Sequence, residues 1–298
     1  MMDFDITLSH YAIMNGKEEH MSRRLIKIIS SIIVVFFLIL PDLSQARWGV
    51  KDIGTGGRYS SIAIDPSGYP HISYFDESSD YVLKHAFFNG SKWNVEVIDG
   101  RDLLAAGYYN AIAVDSFGHI HICYFADDYV NNLSSFRYAY FDGTKWNISI
   151  IGDGGSDASI TVDSNNYPNI SYIHGSELRY LRYNGNTWIS ETVANGTQQC
   201  GTSIALSLSG EVHIAFSYAG LFWAKKTVSG NWEINQIDSG GYPSIALDSL
   251  GNPHVAYIQG NEEDGVLEYG RHDGTVWQIQ TPQNEIGLVL KAPKIDLP

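Results

Sequence analysis

The sequence predicts an all-β fold, a β-propeller built from four-stranded antiparallel blades. Three observations carry that prediction. Six of the seven tryptophans, Trp48, Trp93, Trp146, Trp188, Trp232 and Trp277, recur at intervals of 45, 53, 42, 44 and 45 residues. A period of that size marks one small sheet copied around a ring. Between successive tryptophans the same short strand and turn signals recur in the same order, and no stretch shows a helical period.

Each copy opens with an apolar alternation ending in Asp or Ser, here called strand A. The copies are Ser61-Ile62-Ala63-Ile64-Asp65, Ala111-Ile112-Ala113-Val114-Asp115, Ser159-Ile160-Thr161-Val162-Asp163, Ser203-Ile204-Ala205-Leu206-Ser207 and Ser244-Ile245-Ala246-Leu247-Asp248. A tight turn follows, as in Asp65-Pro66-Ser67-Gly68, where the Asp side chain bonds nearby backbone and Gly suits a type I turn. Strand B comes next: His71-Ile72-Ser73-Tyr74, His121-Ile122-Cys123-Tyr124, Asn169-Ile170-Ser171-Tyr172, His213-Ile214-Ala215-Phe216 and His254-Val255-Ala256-Tyr257. Strand C is a mixed aromatic and aliphatic run such as Phe136-Arg137-Tyr138-Ala139-Tyr140. It ends in Asn89-Gly90, Asp142-Gly143, Asn184-Gly185, Ser229-Gly230 or Asp273-Gly274, and the Asn-Gly and Asp-Gly pairs predict a type I′ hairpin. The tryptophan opens strand D.

Five complete copies predict five blades, with the propeller spanning residues 47–284 and an irregular tail over 285–298. Residues 48–53 supply a further D-type strand, expected to complete the last sheet and close the ring. The alternative is an incomplete six-bladed ring, with residues 287–290 starting a degraded sixth copy.

The first 46 residues lie outside the repeat. Arg23, Arg24 and Lys27 precede a thirteen-residue apolar run, and Ser44-Gln45-Ala46 suits signal-peptidase cleavage. Residues 21–46 therefore read as a secretory signal peptide. The apolar run is short of the ~20 residues that span a bilayer. Residues 1–20 read as an upstream extension, with Met21 the expected start, and the mature product is expected to be secreted, on the cell surface or periplasmic. The chain has 19 Lys and Arg against 33 Asp and Glu, a formal net charge of −14. That disfavours nucleic acid and anionic lipid as partners. Cys123 and Cys200 fall in blades that are not expected to be neighbours, so no disulfide is expected. A monomer is expected.

From Trp48 to Trp277 the chain resembles secreted bacterial and archaeal β-propeller repeat proteins. Their blades carry Ser-Ile-Ala-x-Asp-x-x-Gly-x-Pro-His-Ile-x-Tyr and an Asp-Gly-x-x-Trp hairpin. Residues 61–74 and 244–257 match most fully. The resemblance implies the fold and is nearly silent on function. A looser similarity links the chain to tachylectin-like lectins, whose sugar sites lie between blades, and to sialidase-type propellers with an Asp-box. Asp142-Gly143-Thr144-Lys145-Trp146 departs from that box in the spacing of its Asp, Gly and Thr, so no sialidase residue is carried over.

Repeated side chains read first as blade structure. His71, His121, His213 and His254 occupy one slot, so they sit apart around the ring and should bond backbone within their own blades rather than share a metal. The repeated tryptophans suit packing, with sugar stacking as the second reading. Departures from the repeat point to function. Copy 2 is longest, with insertions in the D-to-A loop over 99–110 and the B-to-C loop over 126–135. Both emerge at one end of blade 2. They carry Arg101, Asp102, Tyr108, Tyr109, Asp127, Asp128, Tyr129, Asn131 and Asn132, side chains that suit glycan or peptide binding. That face also holds Asp76, Glu77, Asp80, Glu262, Glu263 and Asp264. These offer carboxylates to Ca²⁺ but match no ordered calcium loop, and a solvated rim is the simpler reading. No cofactor is expected. No serine-hydrolase elbow, zinc-protease helix or phosphate loop is present. Strand A, as read, shows no carboxylate pair for glycoside hydrolysis. The expected function is extracellular recognition of carbohydrate or a surface protein. A propeller glycosidase or lyase, or a module of a larger surface protein, stands as the alternative.

Overall fold

The computed structural model describes residue 53 and residues 57–78, 81–101, 104–196, 201–227, 229–260 and 265–282. The signal segment, residues 48–52, Asp80, Asp102, Cys200, residues 262–264 and the tail lie outside the described residues. Twenty strands are described, in chain order. Blade 1 holds β1 (Gly57–Ile64), β2 (Pro70–Asp76), β3 (Val82–Phe88) and β4 (Trp93–Asp99). Blade 2 holds β5 (Leu104–Val114), β6 (Ile120–Asp128), β7 (Leu133–Phe141) and β8 (Trp146–Asp153). Blade 3 holds β9 (Ser156–Val162), β10 (Pro168–His174), β11 (Glu177–Tyr183) and β12 (Trp188–Asn195). Blade 4 holds β13 (Thr202–Leu206), β14 (Val212–Ser217), β15 (Leu221–Lys226) and β16 (Trp232–Asp238). Blade 5 holds β17 (Gly241–Leu247), β18 (Pro253–Gln259), β19 (Val266–His272) and β20 (Trp277–Gln280). Each blade is one four-stranded sheet with its strands paired in sequence order, all antiparallel. The fold is a five-bladed β-propeller, as the tryptophan period predicts.

The fourth position of the fifth sheet is held by β20, from the C-terminal end. The closing strand expected over 48–53 lies, but for Ile53, outside the described residues.

Turns follow side-chain chemistry. In the A-to-B turns Asp65 Oδ1 accepts the amides of Ser67 and Tyr69 at 2.9 and 2.8 Å, and Asp115, Asp163 and Asp248 repeat the pattern. The C-to-D hairpins differ from the type I′ expectation. Only glycine takes positive φ there, as at Gly90 (87°) and Gly143 (89°), while the side chain of the preceding Asn89 or Asp142 accepts the amides two and three residues on. The Asn or Asp stands one position ahead of the central pair, so the two-positive-φ requirement does not apply to it.

The core is a set of slabs between consecutive blades. One slab joins Leu83 of blade 1 to Ile112, Ile122 and Tyr124 of blade 2; another joins Tyr180 and Ile173 of blade 3 to Ile204 and Phe216 of blade 4. The repeated tryptophans pack in these seams. Trp146, Trp188, Trp232 and Trp277 each lie edge-on to the strand C ring of the preceding blade, His85, Tyr138, Tyr180 and Trp223, with interplanar angles of 75–79°. Edge-to-face pairing suits the ring quadrupoles.

The strand B slot residue meets that same strand C ring within its blade. His71 Nδ1 lies 3.0 Å from His85 Nε2, His121 Nδ1 2.6 Å from the Tyr138 hydroxyl and His254 Nδ1 2.5 Å from the Tyr269 hydroxyl; the Trp223 indole donates to His213 Nδ1 at 3.2 Å. The histidines thus serve their own blades, but through side chains rather than the expected backbone groups. Burial holds His213 down to about 4, so it is neutral in the folded chain.

The blades are also clasped near the axis. Ser61 Oγ accepts the Ile112 amide at 3.3 Å, Ser159 Oγ the Ile204 amide at 3.2 Å and Ser203 Oγ the Ile245 amide at 3.1 Å. The serine that opens each Ser-Ile-Ala run is therefore a bond to the next blade. Blade 2 carries Ala111 in that position and has no hydroxyl to offer.

Candidate functional sites

Three concavities gather polar and aromatic side chains. Two lie at the start of the first strands, the end where the blade 2 insertions emerge. The third lies at the opposite end, between blades 2 and 3.

The insertions are not loops. The extra residues lengthen β5, β6 and β7, leaving only residues 129–132 as the B-to-C turn. Alternation continues through Ala126-Asp127-Asp128 and Leu133-Ser134-Ser135, so pairing continues with it, Asp127 opposite Ser134 and Asp128 opposite Leu133. This sorts the expected site residues. Asp128 organises the turn: it accepts the amides of Val130 and Asn131 at 2.9 and 3.1 Å and the Asn131 side chain at 2.8 Å, which holds its carboxyl below the usual range. Asn132 takes the left-handed backbone of the turn at φ 52°. Arg101 is exposed and enters neither cavity on this face, and Asp102 lies outside the described residues.

Tyr108, Tyr109 and Asp127 do converge. They line a cleft of about 450 Å³ together with Tyr59, Phe125, Ser134 and Ser156. Asp127 accepts the Ser134 hydroxyl at 2.6 Å, and the Tyr108 and Tyr129 hydroxyls are 3.4 Å apart. Gly154 and Gly155 line this cleft where the chain packs too closely for a side chain: a Cβ on Gly155 would come within 2.5 Å of the Ile173 carbonyl and 2.9 Å of the Phe125 ring.

Beside the cleft, sharing Tyr59 and Tyr109 with it, lies a cavity on the ring axis of about 210 Å³. All five blades contribute equivalent residues: Tyr59, Tyr109, Asp157, Gly201 and Tyr242, each three positions before the strand A isoleucine. All five are left-handed, with φ of 52°, 47°, 51°, 91° and 53°. Strand pairing breaks register at the same place in blades 1, 2, 3 and 5. A bulge re-aims one side chain, and here the residue at each bulge lines the axis. A left-handed non-glycine residue costs of order 1–3 kcal/mol and persists only where its surroundings impose it. The next residues are tied across seams: Asn110 accepts the Ser73 hydroxyl at 2.5 Å, and Thr202 donates to the Ser171 hydroxyl at 3.0 Å.

Strand A therefore begins earlier than the sequence reading placed it, and Asp157 is a blade-specific carboxylate at the central opening. Burial raises its carboxyl above the ordinary range, against the Ser156 hydroxyl that donates to it at 2.9 Å. Burial also raises the Tyr109 phenol, with Tyr59 and Asp157 adding to the effect. Among the described residues the axial lining supplies this one carboxylate, not a pair. The sequence signal was available as a Tyr or Asp at a fixed offset before Ser-Ile-Ala.

The third concavity, about 460 Å³, lies in the seam between blades 2 and 3. It exists because one side chain is short. Three residues after the D-strand tryptophan, blades 1 and 3 carry Glu96 and Glu191. Glu96 fills its seam and accepts the Trp146 indole N–H at 3.1 Å; Glu191 meets Lys226, whose ammonium also lies 5.6 Å from the Trp232 ring centre. Blade 2 carries Ser149 there, and the space beside Trp188 stays open. Tyr140, Tyr183 and Trp188 wall the pocket, and Phe117, 75% exposed, stands at its mouth.

A polar chain floors this pocket. Tyr140 hydroxyl lies 3.1 Å from His119 Nδ1, which is 3.0 Å from Asp115 Oδ2; His121 Nε2 is 3.4 Å from the same oxygen. Burial lowers His121, and although burial alone raises Asp115, the amides of His119 and Phe117 hold its carboxyl low. Across the seam Asn166 replaces the turn glycine of the other blades at φ 63°, a conformation asparagine tolerates. Its Oδ1 accepts the Ser116 hydroxyl at 3.0 Å, joining the two turns.

On the acidic face, Asp76 accepts Lys84 Nζ at 2.5 Å and Glu77 meets Arg58 at 3.0 Å. Among the described residues no group of three or more His, Cys, Asp and Glu side chains forms a metal-binding cluster.

No protein-family profile and no curated protein sequence matches the chain. Solved structures do. A protein of unknown function from Dyadobacter fermentans aligns with TM-score 0.56 at 11% identity, over 76% of this chain and 83% of that one. The fucose-specific lectin of Aleuria aurantia aligns with TM-score 0.54 at 14% identity, over 74% and 76%. The NanB sialidase of Streptococcus pneumoniae aligns with TM-score 0.53 at 10% identity, over 80% of this chain and 62% of the enzyme. At such identities the likeness is one of fold.

Proposed function

We propose that this protein is a secreted, non-catalytic propeller that binds neutral glycans in the seam pocket between blades 2 and 3. The observation that carries the reading is the open seam at Ser149, aromatic on its walls and polar on its floor. Aromatic faces stack on the apolar face of a pyranose, while His119, Asn165 and Ser149 offer hydrogen-bonding groups at the rim. The lining contains no Lys or Arg, so an anionic sugar would meet no fixed counter-charge. The fold shared with a fucose-specific lectin supports the class of ligand.

A second placement of the same activity is the insertion-face cleft, favoured by the convergence of Tyr108, Tyr109 and Asp127. Glycan-array screening of the purified full-length chain, followed by calorimetry on a hit, separates the two. Phe117→Ala and Tyr140→Ala should each weaken binding about tenfold while Tyr108→Ala leaves it unchanged. The reverse pattern moves the site to the insertion face. An array with no binding sinks both.

A further inference from the structure

The axial cavity is a different chemical environment from the seam pocket. The two sit at opposite ends of the first strands and share no lining residue. Among the described residues the axial lining contains no Lys, Arg or His. It brings together three phenol rings, Tyr59, Tyr109 and Tyr242, with the carboxylate of Asp157. Tyr59 and Tyr109 pack at 4.6 Å between ring centres, and Tyr109 stands between Tyr59 and Asp157 in the ring of blades.

Four sheltered or half-sheltered carboxylates elsewhere face a cation, while the buried Asp115 and Glu268 are served by amides and His119 and by the Thr281 hydroxyl. Asp76 has Lys84, Asp99 has Arg137 at 2.9 Å, Glu191 has Lys226 and Glu211 has Lys225 at 2.8 Å. Asp157 has the Ser156 hydroxyl instead, and burial disfavours its charge. A desolvated carboxylate is costly unless a cation faces it. The phenol faces supply negative potential of the same sense. Backbone strain is held at four of the five axial positions to keep these side chains there.

We propose that the axial cavity binds an organic ammonium group, with Asp157 as counter-ion and Tyr59, Tyr109 and Tyr242 as the aromatic wall. A volume of about 210 Å³ takes a head group of a few heavy atoms and is small for an oligosaccharide. The site goes beyond glycan recognition and does not depend on it.

Calorimetric titration of the full-length chain with choline tests this, beside its neutral isostere 3,3-dimethylbutan-1-ol and beside Ca²⁺. Choline should bind, with the isostere about tenfold weaker or more, because only the charge differs. Asp157→Asn should weaken choline about tenfold. Asparagine tolerates the left-handed backbone, so this variant should keep its fold, checked by near-ultraviolet circular dichroism. Tyr242→Leu should weaken choline several-fold, and Phe117→Ala should leave it unchanged. No choline binding, equal binding of the isostere, displacement of choline by Ca²⁺, or wild-type affinity in Asp157→Asn would each overturn the proposal.

Discussion

The seam pocket and the axial cavity arise in opposite ways. The seam pocket is a departure: one blade of the ring carries Ser149 where its neighbours carry glutamates that fill their seams. The axial cavity is a repetition: every blade contributes one residue in the same unusual backbone conformation, and only the side chains differ. Repetition in a propeller is usually packing, and the tryptophans and strand B histidines obey that rule. The axial positions do not. A repeated backbone feature carrying unrepeated side chains is a platform, and it reads as function as readily as a single irregular blade does.

The largest effect expected from breaking this contrast is at the seam. Ser149→Glu places the side chain of blades 1 and 3 beside Trp188 and should lower glycan affinity by about a hundredfold, measured by calorimetry, without touching choline binding. A wild-type glycan affinity in this variant would remove the seam from the argument.

Acid should separate the two sites next. As pH falls, Asp157, raised by burial, protonates before an ordinary carboxyl would, so ammonium binding should weaken from above the usual aspartate range. In the seam, the amides of His119 and Phe117 outweigh burial and hold Asp115 low, so it stays ionised over the same interval. Glycan affinity should fall less there than ammonium affinity does. Paired titrations across that interval check both slopes.

Two smaller effects concern the backbone. Tyr242→Gly and Tyr242→Ala delete the same ring, but only alanine retains the penalty of the left-handed position. The glycine variant should be more stable by about 1 kcal/mol in chemical denaturation, the reverse of the order at an ordinary strand position. Ala111→Ser supplies the missing hydroxyl clasp to the Ile160 amide and should add about 0.5–1 kcal/mol, whereas Ser203→Ala should remove a similar amount.

The sequence was a good guide to the blades and a partial guide to the sites. The period and the Ser-Ile-Ala, His-Ile-x-Tyr and tryptophan runs mark fifteen of the strands' cores directly, because burial on one face imposes alternation at each of them. Spacing could not rank the two D-type strands, and β20 is the one that holds the fourth position of the fifth sheet. The blade 2 insertions were read as loops because polar residues such as Asp127 and Ser134 suggest turns. Cross-strand pairing with each other lets them continue the sheet instead. Of the axial residues only Tyr109 was singled out, for its place in an insertion; Tyr59, Asp157 and Tyr242 were passed over because the four look unrelated as letters. Their kinship is a backbone angle. The seam pocket was legible only as the smallness of Ser149, and an absence gains meaning once the neighbour that should fill it is known.

One consequence of the bulge at each blade's inner edge concerns how this ring could change over generations. The residues there stand off the ladder, and only Tyr109 also packs against an inter-blade slab, so their side chains can be exchanged while the strand pairing persists. A wheel of this design carries five dials around a single opening, and a new preference could be set by turning one of them.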